Sequence, residues 1–298
     1  MTEMGSITPA TKRLPLIAAL LSLMGGPIGQ VYAGRFRRAL LWWIFELLLS
    51  FGAAVGLAQT GVSQGLFIAI VGILVACLFG RIIDAFFVAR SQTQSSLYRY
   101  QRWYVYLGLI VGLPFLNYLH ANLIRTFVVE AFRVPGRAMA PTIMHEDRIV
   151  VSKLFFRPDR LKHSDLATFY SNGPKSPLYV MRVIGLPGDS IEIRDRQLIR
   201  NGQPVDESRY VKHEGVPLNL LFENFGPMEV PTAMCFFLGD NRFFAADSRT
   251  IGPIPMADVV GIPNNLFWSR DYSFSTNRGP IKATAGKFRW DRFGMSLR

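Results

Sequence analysis

The pattern of apolar residues divides the chain into two parts. Before about residue 130, long apolar runs alternate with short polar connections; after it, apolar and polar residues are mixed. Four runs stand out, at residues 14–32, 40–57, 66–88 and 104–119. A membrane-spanning helix needs about 20 mainly apolar residues, so the second and third runs qualify directly and the fourth needs its flanks. We therefore predict a membrane bundle of three or four helices over residues 1–119.

The first run is interrupted by Gly25, Gly26 and Pro27 after a short apolar stretch. Glycine and proline are the residues that least favour a helix interior. The interruption predicts a broken or re-entrant helix rather than a simple span.

Charged residues in the connections predict an orientation. Arginines follow the first and third runs, whereas residues 58–65 carry no charge. The excess of positive charge in cytoplasmic loops places the arginines inside and everything after the fourth run outside. Lys12 and Arg13 conflict with this if the first run crosses fully, and a re-entrant first run removes the conflict. We expect a multi-pass protein of a bacterial cytoplasmic membrane.

Three ionisable residues lie inside the apolar runs: Glu46, Arg81 and Asp84. Such groups are costly in a bilayer and face protein or water. One interpretation is that these residues line a transport or proton path. The other is that they form interhelical pairs or lie near helix ends, where their charges reach the membrane interface. The second interpretation is favoured, because a transporter normally has more spans and internal repeats.

Residues 120–298 carry the signals of short strands. Residues 191–194 alternate apolar and polar side chains, and Asp195-Arg196 and Asn201-Gly202 are tight-turn signals between strand patterns. The pattern predicts a mainly β domain behind the membrane helices.

Composition and charge narrow the function classes. The chain of 298 residues is 50% hydrophobic and only 18% charged, with a net charge of +12, whereas soluble domains carry about 25% charged residues. Because membrane ends account for the arginines, we expect a lipid bilayer as partner and no nucleic acid. Cys77 and Cys235 lie in different parts and do not indicate a disulfide framework. We expect no cofactor and no metal.

Several stretches of the second half resemble type I signal peptidases. They are residues 125–135 (RTFVVEAFRVP), 139–143 (MAPTI), 179–189 (YVMRVIGLPGD), 239–242 (GDNR), 247–249 (DSR), 252–255 (GPIP) and 289–294 (RWDRFG). The resemblance covers about residues 125–298 and implies the β fold of that family and a serine endopeptidase activity on signal peptides.

The residues that carry the family's chemistry are replaced. By resemblance the serine nucleophile falls on Ala138 and the lysine base on Met181. The serine that assists the oxyanion hole falls on Gly136, and the serine that supports the lysine falls on Ala245. Four replacements indicate a naturally inactive relative better than a laboratory variant. Losing the nucleophile of a serine protease alone costs about a millionfold in rate.

The peptide-binding surface, by contrast, is apolar. By resemblance it is lined by Phe132, Val134, Pro135, Met139, Ile143, Tyr179 and Val180. These residues either accept an extended apolar peptide by strand addition or pack the core. A relocated active site using Thr142, Ser152 or His145 is the less favoured alternative, since a nucleophile and base must meet at hydrogen-bond distance.

Three functions remain open. The leading hypothesis is a non-catalytic signal-peptidase-like membrane protein that binds a signal peptide, preprotein or secretion partner. The second is an active signal peptidase that uses unrecognised groups. The third is a membrane scaffold whose helical bundle carries the function. Because fold does not establish activity, this ranking depends on the site residues.

Overall fold

A computed structural model describes residues 11–24, 26–94, 98–173, 176–213, 223–275 and 282–297. The chain divides into two compact units. The first comprises Met1–Ala54 and Gly65–Arg125, and the second comprises Val55–Gln64 and Thr126–Arg298.

The first unit is helical. Its helices are α1 (Pro15–Met24), α2 (Ile28–Tyr32), α3 (Phe36–Thr60), α4 (Gln64–Ser91) and α5 (Trp103–Phe127), and two-residue strands β1 (Thr11–Lys12) and β2 (Thr93–Gln94) pair antiparallel. Within the described ranges, three helices are long and apolar enough to cross a membrane: α3, α4 and α5. Each extends beyond its predicted apolar run at both ends.

The first apolar run forms two helices instead of one. Gly26 has a φ of 63° and, with Pro27, separates α1 from α2. The ten residues of α1 span about 15 Å, half the thickness of a bilayer core. An added Cβ at Gly29 would lie 2.0 Å from the Ala18 carbonyl oxygen, so only glycine permits this close approach of α2 to α1.

The three ionisable residues of the apolar runs form interhelical contacts. Arg81 of α4 donates to both carboxylate oxygens of Glu46 on α3, at 2.6 and 2.7 Å. Asp84 accepts hydrogen bonds from Trp42 at 2.9 Å and Arg38 at 3.1 Å. The favoured interpretation, interhelical pairing, is what these contacts show.

In its described residues, the second unit contains the strands β3 to β15 and the short helix α6 (Ser248–Ile251). The strands are β3 (Val129–Arg133), β4 (Arg148–Ser152), β5 (Leu166–Tyr170), β6 (Leu178–Gly185), β7 (Ser190–Arg194), β8 (Gln197–Arg200), β9 (Gln203–Pro204), β10 (Phe225–Glu229), β11 (Met234–Leu238), β12 (Ile254–Pro255), β13 (Val259–Trp268), β14 (Arg270–Ser275) and β15 (Lys282–Phe288).

These strands form antiparallel sheets. A seven-stranded sheet has the order β12-β11-β6-β5-β13-β4-β3, a four-stranded sheet the order β10-β7-β8-β9, and β14 pairs with β15. Both predicted tight turns are present as two-residue hairpin loops, with positive φ at Asp195 and Arg196 and at Asn201 and Gly202. Paired left-handed residues of this kind match the twist of the flanking strands.

Residues between α3 and α4 pack within the second unit. Ala58 and Val62 are buried, and the Asn264 amide of β13 donates to the Ala58 carbonyl oxygen at 2.9 Å. The last carbonyls of a helix lack intrahelical partners, so Asn264 satisfies one of them at the end of α3.

Candidate functional site

A groove of about 750 Å³ opens in the β unit. Its wall consists of two continuous stretches of chain, residues 132–139 and 177–181, with contributions from five further residues: His145, Ile149, Thr168, Phe244 and Ala246. Side chains of a strand alternate between faces. Consecutive lining residues therefore mean that backbone edges, and not only side chains, border the groove.

The strand β6 has an open edge beside this groove. Leu178–Met181 pairs with β5 on one side, but the ladder with β11 on the other side begins only at Arg182. β3 is likewise the last strand of the seven-stranded sheet. Open edges present unpaired N–H and C=O groups to an added strand.

Most of the predicted peptide-binding residues border the groove. The structure brings together Phe132, Val134, Pro135, Met139, Tyr179 and Val180. Ile143 does not line the groove: it is fully buried in the same core cluster as Met139 and Val180. The turn after Met139, in which the Ile143 N–H donates to the Met139 carbonyl oxygen at 2.9 Å, directs this side chain inward.

The four positions to which the resemblance assigns the family's chemistry lie close together. Gly136, Ala138 and Met181 line the groove. Ala245 is buried beside Gly239, whose added Cβ would lie 2.4 Å from the Ala245 Cβ and 2.6 Å from the Ala138 carbonyl oxygen. The positions are thus adjacent, but their side chains are two methyl groups, a thioether and a hydrogen.

A buried ion pair fixes the strand that carries Met181. Arg182 is directed to the other face of β6 and donates to Asp240 through Nε at 2.8 Å and Nη2 at 2.6 Å. Its Nη1 donates to the Ser164 carbonyl oxygen at 2.8 Å, and Asp240 is fully buried. Such a bidentate pair sets geometry as well as charge balance. Sequence reasoning gave this arginine no role, although it directly follows the base position.

The residue before Asp147 adopts a strained backbone. Glu146 has a φ of 68°, the left-handed region that favours glycine. Here the Glu146 carboxylate is held by Arg133, which donates to it at 2.7 Å, and lies 3.6 Å from the His145 imidazole.

Thr142 and Ser152, together with two further residues, Ser248 and Cys235, are hydrogen-bonded or buried. The Thr142 hydroxyl donates to Asp240 at 2.5 Å, and the Ser248 hydroxyl accepts from the Phe237 N–H at 3.0 Å. Ser152 is buried on β4, and it does not line the groove. Burial raises the pKa of the Cys235 thiol to about 11, so this group is not a thiolate at neutral pH.

The protic side chains along the groove are those of Arg133, Arg137, His145, Thr168 and Tyr179. Among its lining residues, all within the described ranges, there is no serine, cysteine, lysine, aspartate or glutamate. The Thr168 hydroxyl lines it but donates to the Gly261 carbonyl oxygen at 3.0 Å. His145 borders the groove, and no serine or cysteine accompanies it there.

Comparisons with known proteins identify the family of this chain. The family described as "Signal peptidase, peptidase S26" matches residues 103–268. Signal peptidase I P of Bacillus subtilis subsp. natto is 36% identical over 50% of this chain and 82% of its own length. Signal peptidase I of Leptolyngbya laminosa is 32% identical over 49% of this chain and 71% of its own length. A crystal structure of a signal peptidase I from Enterococcus faecalis is 29% identical and covers 35% of this chain and 96% of its own, with a TM-score of 0.28. The family match extends over more than half of the chain, which therefore belongs to the signal peptidase family, peptidase S26.

Proposed function

We propose that this chain is a membrane-anchored, non-catalytic signal peptidase homologue that binds signal peptides or preproteins without cleaving them. The observation that carries the proposal is the contrast within one groove. Its apolar wall and open strand edge are present. Ala138 and Met181, which also line it, stand at the positions that the family resemblance assigns to the nucleophile and the base.

The absence of cleavage follows from the side-chain chemistry. A hydroxyl becomes a nucleophile near neutral pH only when a base takes its proton. The Ala138 methyl group has no proton to give, and the Met181 thioether accepts one only weakly. Gly136 also offers no hydroxyl to a developing oxyanion, whose stabilisation is a large part of such catalysis.

Peptide binding follows from the shape of the groove. An extended peptide beside Leu178–Met181 finds main-chain partners on the open edge of β6, while alternate side chains enter the apolar wall. The relatives are named signal peptidase I, which makes a signal peptide the ligand of choice. The buried Arg182–Asp240 pair supports this edge from behind.

Membrane anchoring is part of the proposal. α3, α4 and α5 are long enough to cross a bilayer core. Arginines at the start of α3 and before α5, against an uncharged α3–α4 connection, favour a cytoplasmic arginine side and a β unit on the outer side of a bacterial cytoplasmic membrane.

The test uses the full chain in detergent with a fluorophore-labelled synthetic signal peptide. Fluorescence anisotropy reports binding and mass spectrometry reports cleavage. Ala138→Phe fills the groove and should weaken binding by about tenfold or more, equivalent to at least about 1.4 kcal/mol. Ala257→Phe, at an exposed alanine of the 3-10 turn Met256–Asp258, is the matched control.

Cleavage is tested with a restored variant. Gly136→Ser, Ala138→Ser, Met181→Lys and Ala245→Ser are combined, and this variant should cut at the signal junction while the unmodified chain leaves the peptide intact. Cleavage by the unmodified chain that Ala138→Phe abolishes would show an active enzyme. Equal binding by the two phenylalanine variants would remove the groove as the peptide site.

A further inference from the structure

One end of the helical unit carries a concentrated positive charge. The start of α3, the end of α4 and the start of α5 meet there, since Asp84 of α4 accepts hydrogen bonds from Arg38 and Trp42 of α3. The Tyr100 hydroxyl, just before α5, donates to the Gly34 carbonyl oxygen at 2.6 Å, just before α3. We call this the arginine end and define it by its six arginines, Arg35, Arg37, Arg38, Arg90, Arg99 and Arg102.

The charge at the arginine end is largely uncompensated. Residues 26–45, 82–94 and 98–106 contain a single acidic residue, Asp84, which is already paired with Arg38. Arg37, Arg90 and Arg99 are exposed. Their guanidinium groups form no ion pair with any residue in the described part of the chain. Three cations therefore face outward at the ends of apolar helices.

Aromatic side chains accompany these cations. Tyr98, Trp103 and Tyr104 are 52%, 76% and 50% exposed. Arg102, Trp103 and Tyr104 also border a depression of about 600 Å³ together with Gln101 and Tyr106. Exposed tryptophan and tyrosine residues at the ends of apolar helices typically lie in the lipid-headgroup region of a bilayer.

We propose that the arginine end binds the phosphate groups of anionic phospholipids. The planar guanidinium group matches phosphate oxygens in a bidentate fashion, and cations near an anionic leaflet are attracted to it. The occupant is a lipid headgroup, because the charge lies beside apolar helices and exposed aromatics. This inference rests on the proposed membrane anchoring but is independent of the peptide groove.

The effect of removing the cations is large enough to measure. Each arginine near an anionic surface contributes about fivefold in affinity, so three contribute on the order of a hundredfold. Exposed charges are screened by salt, so high ionic strength should reduce the preference for anionic lipid.

The experiment titrates the full chain in detergent with a fluorescent phosphatidylglycerol and, separately, a fluorescent phosphatidylcholine. The variant combines Arg37→Gln, Arg90→Gln and Arg99→Gln. A matched control combines three exposed arginines of the β unit, Arg157→Gln, Arg160→Gln and Arg209→Gln. Both triple variants lose three positive charges, so a difference in their lipid affinity would not result from net charge alone.

The unmodified chain and the control should prefer phosphatidylglycerol, and the arginine-end variant should lose on the order of a hundredfold of that affinity. Equal binding of the two lipids by the unmodified chain, or unchanged phosphatidylglycerol binding by the arginine-end variant, would overturn the proposal. Insertion into pure phosphatidylcholine vesicles is measured in parallel by flotation. Insertion without a preference for phosphatidylglycerol would support membrane anchoring and refute the headgroup site. Failure to insert would refute membrane anchoring itself.

Discussion

A lysine introduced at position 181, which the family resemblance assigns to the catalytic base, tests how strongly this position is shielded from water. Met181 is 1% exposed and packs in the main core cluster of the β unit. A lysine there would lose most of its hydration, and full burial lowers a lysine pKa by about 3–5 units from about 10.4. The Met181→Lys lysine should then be largely neutral near pH 7, as a general base requires.

The same shift predicts a stability cost with a defined pH dependence. Above about pH 10.4 the lysine is neutral in both the folded and the unfolded chain, so ionisation costs nothing. As pH falls, the unfolded chain binds the proton first, and folding loses about 1.4 kcal/mol per pH unit until the folded lysine is protonated as well. At pH 7 the loss is about 4–5 kcal/mol.

Thermal unfolding in detergent, followed by differential scanning fluorimetry between about pH 6 and pH 11, measures this loss. For a domain of this size it corresponds to a fall of about 10–15 °C in the midpoint at pH 7 that disappears at the alkaline end. Met228→Lys, at a partly exposed position of β10, is the matched control. A midpoint difference between the two variants that does not change with pH would refute the argument that position 181 is desolvated.

Three further predictions follow from other contacts. Glu146→Gly should be more stable than Glu146→Ala by about 1 kcal/mol in thermal unfolding, because both lose the carboxylate and only glycine accepts the left-handed backbone; equal stability would mean that φ at this position carries no strain. Arg81→Met should destabilise the helical unit by about 3 kcal/mol, and adding Glu46→Leu should recover most of it, since the unpaired carboxylate carries the cost; a double variant as unstable as the single one would contradict this. In a Cys77→Ser background, Cys235 should resist iodoacetamide in the folded chain and react fully in denaturant, because it is buried and protonated at neutral pH; labelling of the folded chain at the denatured rate would show that β11 opens.

The sequence predicted the elements whose signals are local. The glycine-proline interruption predicted the break between α1 and α2, and Asn201-Gly202 predicted a hairpin. Both predictions were confirmed because glycine, proline and asparagine determine the backbone conformation of their own and neighbouring positions. The family resemblance also assigned Gly136, Ala138 and Met181 to one site. All three residues line the same groove.

Features that depend on distant contacts were not predictable. The open edge of β6 exists because its ladder with β11 starts only at Arg182, and nothing in the strand pattern reports where a partner strand begins. The same holds for Asn264, which lies 206 residues from Ala58, its hydrogen-bond partner at the end of α3. Ile143 illustrates a third limit: its apolar character fits a pocket wall and a core position equally well.

Under the proposed function, the residue at position 181 bears on how the groove would bind a peptide without cleaving it. Burial of a lysine at this position would destabilise the fold, because the charged amine loses its hydration. A catalyst needs this burial, since it also keeps the amine neutral and able to accept a proton. Methionine has an unbranched side chain of similar length and fills the same space without that cost. A methionine in place of the lysine that the resemblance implies would therefore remove the chemistry and preserve the wall of the groove, in line with the general opposition between active-site function and stability. A replacement by a short or charged residue would have opened or disrupted the core around Val180 and Phe237, and with it the strand edge on which a peptide would lie.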